Sequence, residues 1–405
     1  MATLKLGSTD QGKIPADKSA FFKPYHTNLV ASLTKLQFRG EKDKEWVDFT
    51  EVSGTPVQTL QDDLRTLGFP PETDHNGIFG YGTRAAARLF QEYVRHVEGN
   101  PAIGVPDGVV GPKTQEHLAR WKQEGKKSEW SNPTITSAYQ EWLGVLENMK
   151  TAYLQQENPV IQKVIAFNQP TDTLKPADWK TTPDVVHLIG IRSSGGKASK
   201  AIEANEDLFF LLLNGRVFQF WGSTSPNRGM SEMDTIPFLL EGQHRYRFGW
   251  HKVKKFLTEG KIYPALRPSD GKGVLVVRDR NKDNAMTDEE IAVNPLQANG
   301  SINIHWSGDG HANWSAGCQV IAGKSYRNPE GKRVDCSPYS ASGYKDLGNG
   351  KTRGAYNVLA DLILTYAPLG TQHVYYSLIH EKRLQAFKTL NATALLEELK
   401  KTNVA

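Results

Sequence analysis

Between residues 77 and 114 the chain writes one turn twice. Gly77-Ile78-Phe79-Gly80-Tyr81-Gly82-Thr83 matches Gly108-Val109-Val110-Gly111-Pro112-Lys113-Thr114, each copy follows an Asp (Asp74, Asp107), and each leads into an apolar pattern of helical period, RAAARLFQEYV and QEHLARW. Glycines let the chain turn tightly at these points, and the Thr closing each copy is expected to cap the helix behind it. Upstream, Val57, Leu60, Leu64 and Leu67 recur at helical spacing and Gly68 ends the pattern. Three helices joined by two like turns between Val57 and Trp121 leave room only for a small helical bundle.

The rest of the 405 residues predicts about one or two further domains. With 38% hydrophobic residues, 9 Trp, 14 Tyr and 16 Phe, the chain can bury a sizeable core, which excludes a mostly disordered protein. Residues 1–50 are polar, weakly patterned and assigned no role; residues 51–125 hold the bundle. Residues 126–183 read as a helical linker, with Tyr139, Leu143, Leu146, Met149 and Tyr153 at helical spacing between Ser137 and Gln155. The stretch QPTDTLKPADWKTTPD marks a boundary. Beyond it, 184–405 reads as a strand-rich domain: VVHLIGIRSS, DLFFLLLNGRVFQFWGS, HRYRFGWHK, GVLVVRD, SINIHW, CQVIAG and HVYYSLI are strands. Asn214-Gly215 is a hairpin turn, and helices are expected at 356–366 and 392–401. The fold class is α+β and multidomain: a three-helix module plus a β-rich domain with peripheral helices.

Lys plus Arg (49) exceed Asp plus Glu (44) by five, with no dense basic block, which argues against a nucleic-acid partner. A mildly basic surface suits a polyanionic target such as a cell wall. Two cysteines, Cys318 and Cys336, are too few for a disulfide scaffold. The longest apolar run, Leu208 to Leu213, falls far short of the roughly 20 residues that span a bilayer, and the N-terminal stretch has no apolar signal core. The expectation is a product made in the cytoplasm, without a membrane span, and delivered by another route than a cleaved signal.

The chemistry gathers in INIHWSGDGHANWSAGCQVIAG, Ile302 to Gly323. Alternation along a strand puts the isoleucines in the core and turns Asn303 and His305 the other way. A 12-residue return, Trp306 to Gly317, then brings the chain to Cys318. If the two strands pair, an imidazole and a thiol meet at the sheet's rim, where His305 can take the thiol proton and leave a nucleophilic thiolate. Gly317 lets a substrate carbonyl approach and offers backbone N–H groups to an oxyanion. Ser315 can hydrogen-bond within the turn or assist there. Trp306 and Trp314 are candidate walls of the cleft, and His311 and Asp309 are candidate substrate contacts, Asp309 most simply as a turn residue. His251, also on a strand, orients His305, contacts substrate, or is structural. Cys336 reads as structural.

Two resemblances follow from these residues. The LQxxLxxLGF helix and the doubled DGxxGxxT turn, whose first copy reads Asp74-His75-Asn76-Gly77, resemble the peptidoglycan-binding domain type 1 family, which implies attachment to bacterial cell wall. His305 with Ser315-Ala316-Gly317-Cys318 resembles the signature of the L,D-transpeptidase catalytic-domain family. That resemblance implies a β-sandwich-like fold and a cysteine thioester formed on peptidoglycan stem peptides. By matched position it makes Cys318 the nucleophile, His305 the base, and Gly317 with Cys318 the oxyanion donors. Ala316 stands where that family has a second His, and the SAGC form looks closer to phage-type and secreted wall-degrading proteins. It implies peptide cleavage ahead of cross-link formation, with L,D-transpeptidation as the alternative. A virion or secretion component and an immunity protein are the implied partners besides peptidoglycan.

No cofactor is required for that chemistry. A zinc site from His305, His311, Cys318 and His251 has no trusted ligand spacing. Asp279, Asn281, Asp283 and Glu290 stand at positions 1, 3, 5 and 12 of an EF-hand-like loop, with Asn284 at the turn, and predict a structural calcium site. A non-catalytic wall-binding protein remains the rival from another class.

Overall fold

The computed structural model describes residues 2–16, 49–71, 76–155, 158–192, 207–227, 235–251, 263–283, 285–310, 315–348 and 350–386. They divide into two compact units, Met1–Thr134 with Phe248–Ala265 and Cys336–Gln372, and Ile135–Arg247 with Leu266–Asp335 and His373–Ala405. Helices and a strand-rich, barrel-like sheet occur together, as an α+β chain requires. Cys336–Gln372 clusters with the N-terminal helices. Among the described residues no helix is long and apolar enough to cross a membrane.

In the first unit, β1 (Ser8–Asp10) pairs in parallel with β2 (Thr50–Val52). The helices α1 (Pro56–Thr66), α2 (Tyr81–His96) and α3 (Pro112–Gln123) fall where apolar spacing predicts them. The N-terminal segment assigned no role completes α1. Asp10 accepts the N–H groups of Val57 (2.7 Å) and Gln58 (2.9 Å), satisfying donors that a helix start leaves open. The doubled turn is held by a doubled staple. Gln61 Nε2 donates to Thr83 Oγ1 and Ile78 O, both at 3.0 Å, while its Oε1 accepts from Gly77 N at 3.2 Å. Gln91 repeats this with Thr114 Oγ1 (3.0 Å), Val109 O (2.9 Å) and Gly108 N (2.8 Å). Gly77 and Gly108 take φ of +72° and +80°, as the tight turns demand. The Thr residues do not cap, however: α2 and α3 begin at Gly80 and Gly111 with no side-chain cap, and each Thr hydroxyl instead receives a Gln amide. Phe90 and Tyr93 close the bundle edge-on against Trp121, ring centres 5.3 and 5.6 Å away.

The second unit starts with α4 (Ser137–Gln155) and α5 (Pro159–Ala166). From residue 186 onward the chain's strands are β3 (Val186–Arg192), β4 (Asp207–Leu213), β5 (Arg216–Ser223), β6 (Pro237–Leu239), β7 (Gly242–His251), β8 (Tyr263–Pro268) and β9 (Val274–Arg278). After α6 (Asp288–Val293) come β10 (Gln297–Asn299), β11 (Ile304–Trp306), β12 (Gln319–Arg327), β13 (Arg333–Asp335) and, last, β14 (Val374–His380). The sheet runs β11-β8-β7-β14-β3-β4-β5-β12-β13, and an additional β11–β12 pairing closes it into a barrel-like ring. Asn214 and Gly215 make the β4–β5 hairpin with φ of +51° and +72°, the backbone that the Asn-Gly pair predicts. Registers put Phe209, Phe220, Tyr246 and Tyr376 on the inner face, where Phe209 stacks on Tyr376 at 6.2 Å and the Tyr376 hydroxyl donates to Gln319 Oε1 at 3.1 Å. The opposite face of β3, β4 and β5 is covered by α4, with Trp142 at 4.0 Å from Phe210. Burial on both sides explains why Leu208–Leu213 is an unbroken apolar run rather than an alternating one. The helix expected at 392–401 lies outside the described residues.

The segment Cys336–Gln372 carries α7 (Ala355–Tyr366), which packs on α2 within the first unit. Arg88 Nη2 lies 2.6 Å from Asp361 Oδ1, and the Tyr366 hydroxyl donates to Gly68 O at 2.8 Å. Burial pushes the Asp361 carboxyl up to about 6, against the pull of Arg88. A carboxyl that titrates higher in the fold than in the unfolded chain binds more protons when folded. Its contribution is therefore full below about pH 4 and fades as pH rises through about 6. Across that window the urea midpoint of the wild type should fall relative to that of Asp361→Asn, which cannot titrate there.

Candidate active site

β11 and β12 pair in parallel, with Ile304 opposite Gln319, His305 opposite Val320 and Trp306 opposite Ile321. Parallel neighbours need a crossover of a dozen or more residues, and residues 307–318 are just long enough. The pairing extends one step before the strands: Gln319 N donates to Asn303 O at 2.9 Å, and Asn303 N donates to Cys318 Sγ at 3.3 Å. Alternation then sets Asn303, His305, Cys318 and Val320 on one face, with Ile304, Trp306 and Gln319 on the barrel side. His305 and Cys318 are diagonal neighbours on that face, about 8 Å apart at Cα by strand spacing and rise.

The sulfur has a defined setting. Cys318 is half-buried, both cysteines are free, and the Sγ–H donates to Ser301 O at 3.2 Å. Desolvation pushes the thiol's pKa up; the Asn303 N–H, the Ser315 hydroxyl and the charge of Arg267 pull it down less. The resting sulfur is therefore a protonated thiol. His305 is 7% exposed, and its Nδ1 lies 2.8 Å from Trp306 O. A carbonyl only accepts, so Nδ1 carries a proton, and in the neutral ring the lone pair is on Nε2.

Ser315 is buried and anchors the turn: its carbonyl accepts from Asn227 N at 2.7 Å and its hydroxyl from Gly317 N at 3.2 Å. That bond corrects one expectation, because the Gly317 N–H is engaged inside the turn rather than held out to an oxyanion. Glycine is needed there for another reason. A Cβ at position 317 would stand 2.7 Å from Pro237 Cγ and 3.0 Å from Pro237 O, with φ at +157°. Trp306 is a second correction. It is fully buried on the face of Ile304, so it fills the barrel and walls no cleft. Asp309 is half-buried and bridges to Ser307, as a turn residue does. His251 ends β7, its ring 5.4 Å from Tyr263. His311 and Trp314 lie outside the described residues. Cys336 is buried and accepts the Tyr339 hydroxyl at 3.2 Å, a structural setting.

Arg267 was not singled out from sequence. It sits on β8 next to Leu266, which pairs with Ile304, so it stands opposite Asn303 on the cysteine's face. Its only sequence signal is an arginine in the short strand segment ALRP.

Among the described residues, one group could hold a metal: Asp279, Asp283 and Glu290 bring carboxylate oxygens within 4.8 Å of one another. The loop supplies donors of its own, Lys282 N to Asp279 at 2.8 Å, Asn281 Nδ2 to Glu290 at 2.6 Å, and Thr287 N to Glu290 at 2.9 Å in the capping box of α6. The side chains converge, and each carboxylate also accepts a hydrogen bond from its own loop. Comparison with known protein families, curated proteins and solved structures returns no match for this chain.

Proposed function

We propose that the protein is a cysteine enzyme that opens stem-peptide amide bonds of bacterial peptidoglycan. The observation that supports it best is the shared face of His305 and Cys318 across the parallel β11–β12 pair, with the His305 lone pair on Nε2 and a protonated thiol on Cys318. In the proposed reaction Nε2 takes the thiol proton as Sγ attacks the scissile carbonyl. The C–N bond breaks, the leaving amine recovers the proton from the imidazolium, and a thioester remains. Water activated by the same Nε2 then releases the acid and frees the sulfur. An amine in place of water would give L,D-transpeptidation. The helical unit, with its doubled turn, would hold the enzyme on an insoluble polymer and so raise its effective concentration. Delivery by a secretion or virion component to the periplasm or wall, and a cognate immunity protein, belong to the same reading.

Purified sacculi incubated with the wild type and with Cys318→Ala test it. Release of new muropeptides by the wild type alone is expected, and product masses name the bond and the acceptor. Equal release from both proteins sinks the cysteine reaction, and binding without release leaves a wall-binding protein.

A further inference from the structure

Sheet register extends the cysteine's row well beyond the pair. Val374 opposite Tyr246 places His373 beside Arg247; Ser269 N donating to Arg245 O at 3.0 Å places Arg267 beside Arg247; and Leu266 opposite Ile304 places Arg267 beside Asn303. Asn303 is bonded to Cys318. His373, Arg247, Arg267, Asn303 and Cys318 thus form one line across β14, β7, β8, β11 and β12. All lie on the face opposite Tyr246, Leu266 and Ile304, which fill the barrel. The two arginines are half-buried. Arg247 makes no ion pair among the described residues, and its Nε has no hydrogen-bond partner there. Asn303 is 7% exposed, and its Oδ1 is likewise buried without a partner. A buried acceptor left open costs free energy unless something donates to it.

At the far end the row runs into a cleft of about 620 Å³ whose lining includes His373, Arg245, Lys150, Lys175, Lys180 and Trp179. Arg245 is balanced by Asp270 at 2.9 Å and by Asp172 at 3.7 Å, and Asp178 is the acid on the cleft wall. Lys150 holds the Trp179 carbonyl at 2.9 Å, and Lys175 and Lys180 are exposed. Lys150, Lys175, Lys180 and Arg247 therefore outweigh Asp178 and Asp184, the latter beside Lys180, along one continuous path. Coulomb attraction from such a path favours a ligand with repeated negative charge.

We infer that this face is a cationic track that seats an extended, carboxylate-bearing peptide from the Lys150–Lys180 cleft to Cys318. The inference deepens the proposed function by naming the charge class of its substrate, and rests on it only for the role of Cys318. Four inter-strand steps of about 4.8 Å make a track of about 19 Å, which suits about six extended residues. Arg247 would pair with a side-chain or terminal carboxylate, and a peptide N–H would satisfy Asn303 Oδ1.

The test is fluorescence anisotropy of labelled hexaglutamate and hexaglutamine on the full chain carrying Cys318→Ala. Hexaglutamate should bind at least about tenfold more tightly, and Arg247→Glu and Lys180→Glu should each erase about tenfold. Lys180 is exposed, so its variant separates lost binding from lost folding. Equal affinity for the two peptides, or hexaglutamate binding untouched by both reversals, overturns the track. Tighter binding of inorganic polyphosphate than of hexaglutamate overturns the peptide assignment. Since Cys318→Ala performs no chemistry, hexaglutamate binding combined with inert wild-type enzyme on sacculi would keep the track and discard the nucleophile.

Discussion

His305→Gln is expected to slow muropeptide release by about 10²–10⁴-fold, the range that a positioned general base supplies. The size follows from the resting state of the sulfur. Burial raises the thiol's pKa, and its proton rests on the Ser301 carbonyl, so at neutral pH little thiolate exists until a base removes that proton. Gln keeps the size of the side chain and loses the lone-pair nitrogen. The loss should shrink as pH rises, because bulk hydroxide then ionises the thiol directly, and alkylation of Cys318 should accelerate over the same range. Cys336, fully buried, should stay unmodified in the folded protein and serves as an internal control. A variant within about twofold of wild type at neutral pH would reduce His305 to a structural residue tied to Trp306 O.

Arg88→Met should destabilise the first unit by about 3–5 kcal/mol, read from urea unfolding. Methionine preserves the aliphatic stem, so the loss is electrostatic. Asp361 is 1% exposed and has Arg88 as its close cation at 2.6 Å; without it, the buried carboxylate keeps only the weaker pull of Arg84. The second change Asp361→Leu should recover much of the loss, since an apolar pair of similar volume avoids the desolvation cost altogether. The same pair reports that Cys336–Gln372 folds with the N-terminal helices. If unfolding of the first unit is unmoved by Arg88→Met, that dependence is absent.

Elements carried by local pattern were legible without coordinates. The helix at Ser137–Gln155 falls on its predicted bounds, the Asn214-Gly215 hairpin has its predicted backbone, and the carboxylates of Asp279, Asp283 and Glu290 converge as their spacing requires. Each depends on contacts between residues near in sequence, where period and turn chemistry suffice. The alternation that put His305 on the cysteine's side also held. Applied one residue further, it would have moved Trp306 into the core; a tryptophan beside a candidate site invited a cleft role that its parity denies.

What sequence could not reveal depends on partners far apart along the chain. Nothing local marks Asp10 as the cap of α1, and nothing in ALRPSD announces that Arg267 shares a row with Cys318. The motif from His305 to Cys318 determined which atoms could do chemistry and on which side of a strand they lie. Only tertiary pairing decided that the strands run parallel, that the sheet closes on itself, and which charges stand beside the sulfur. The physical reason is that side-chain direction is set by each residue's own backbone. Strand neighbours are instead chosen by the burial of the whole sheet, a sum over residues that no short window contains.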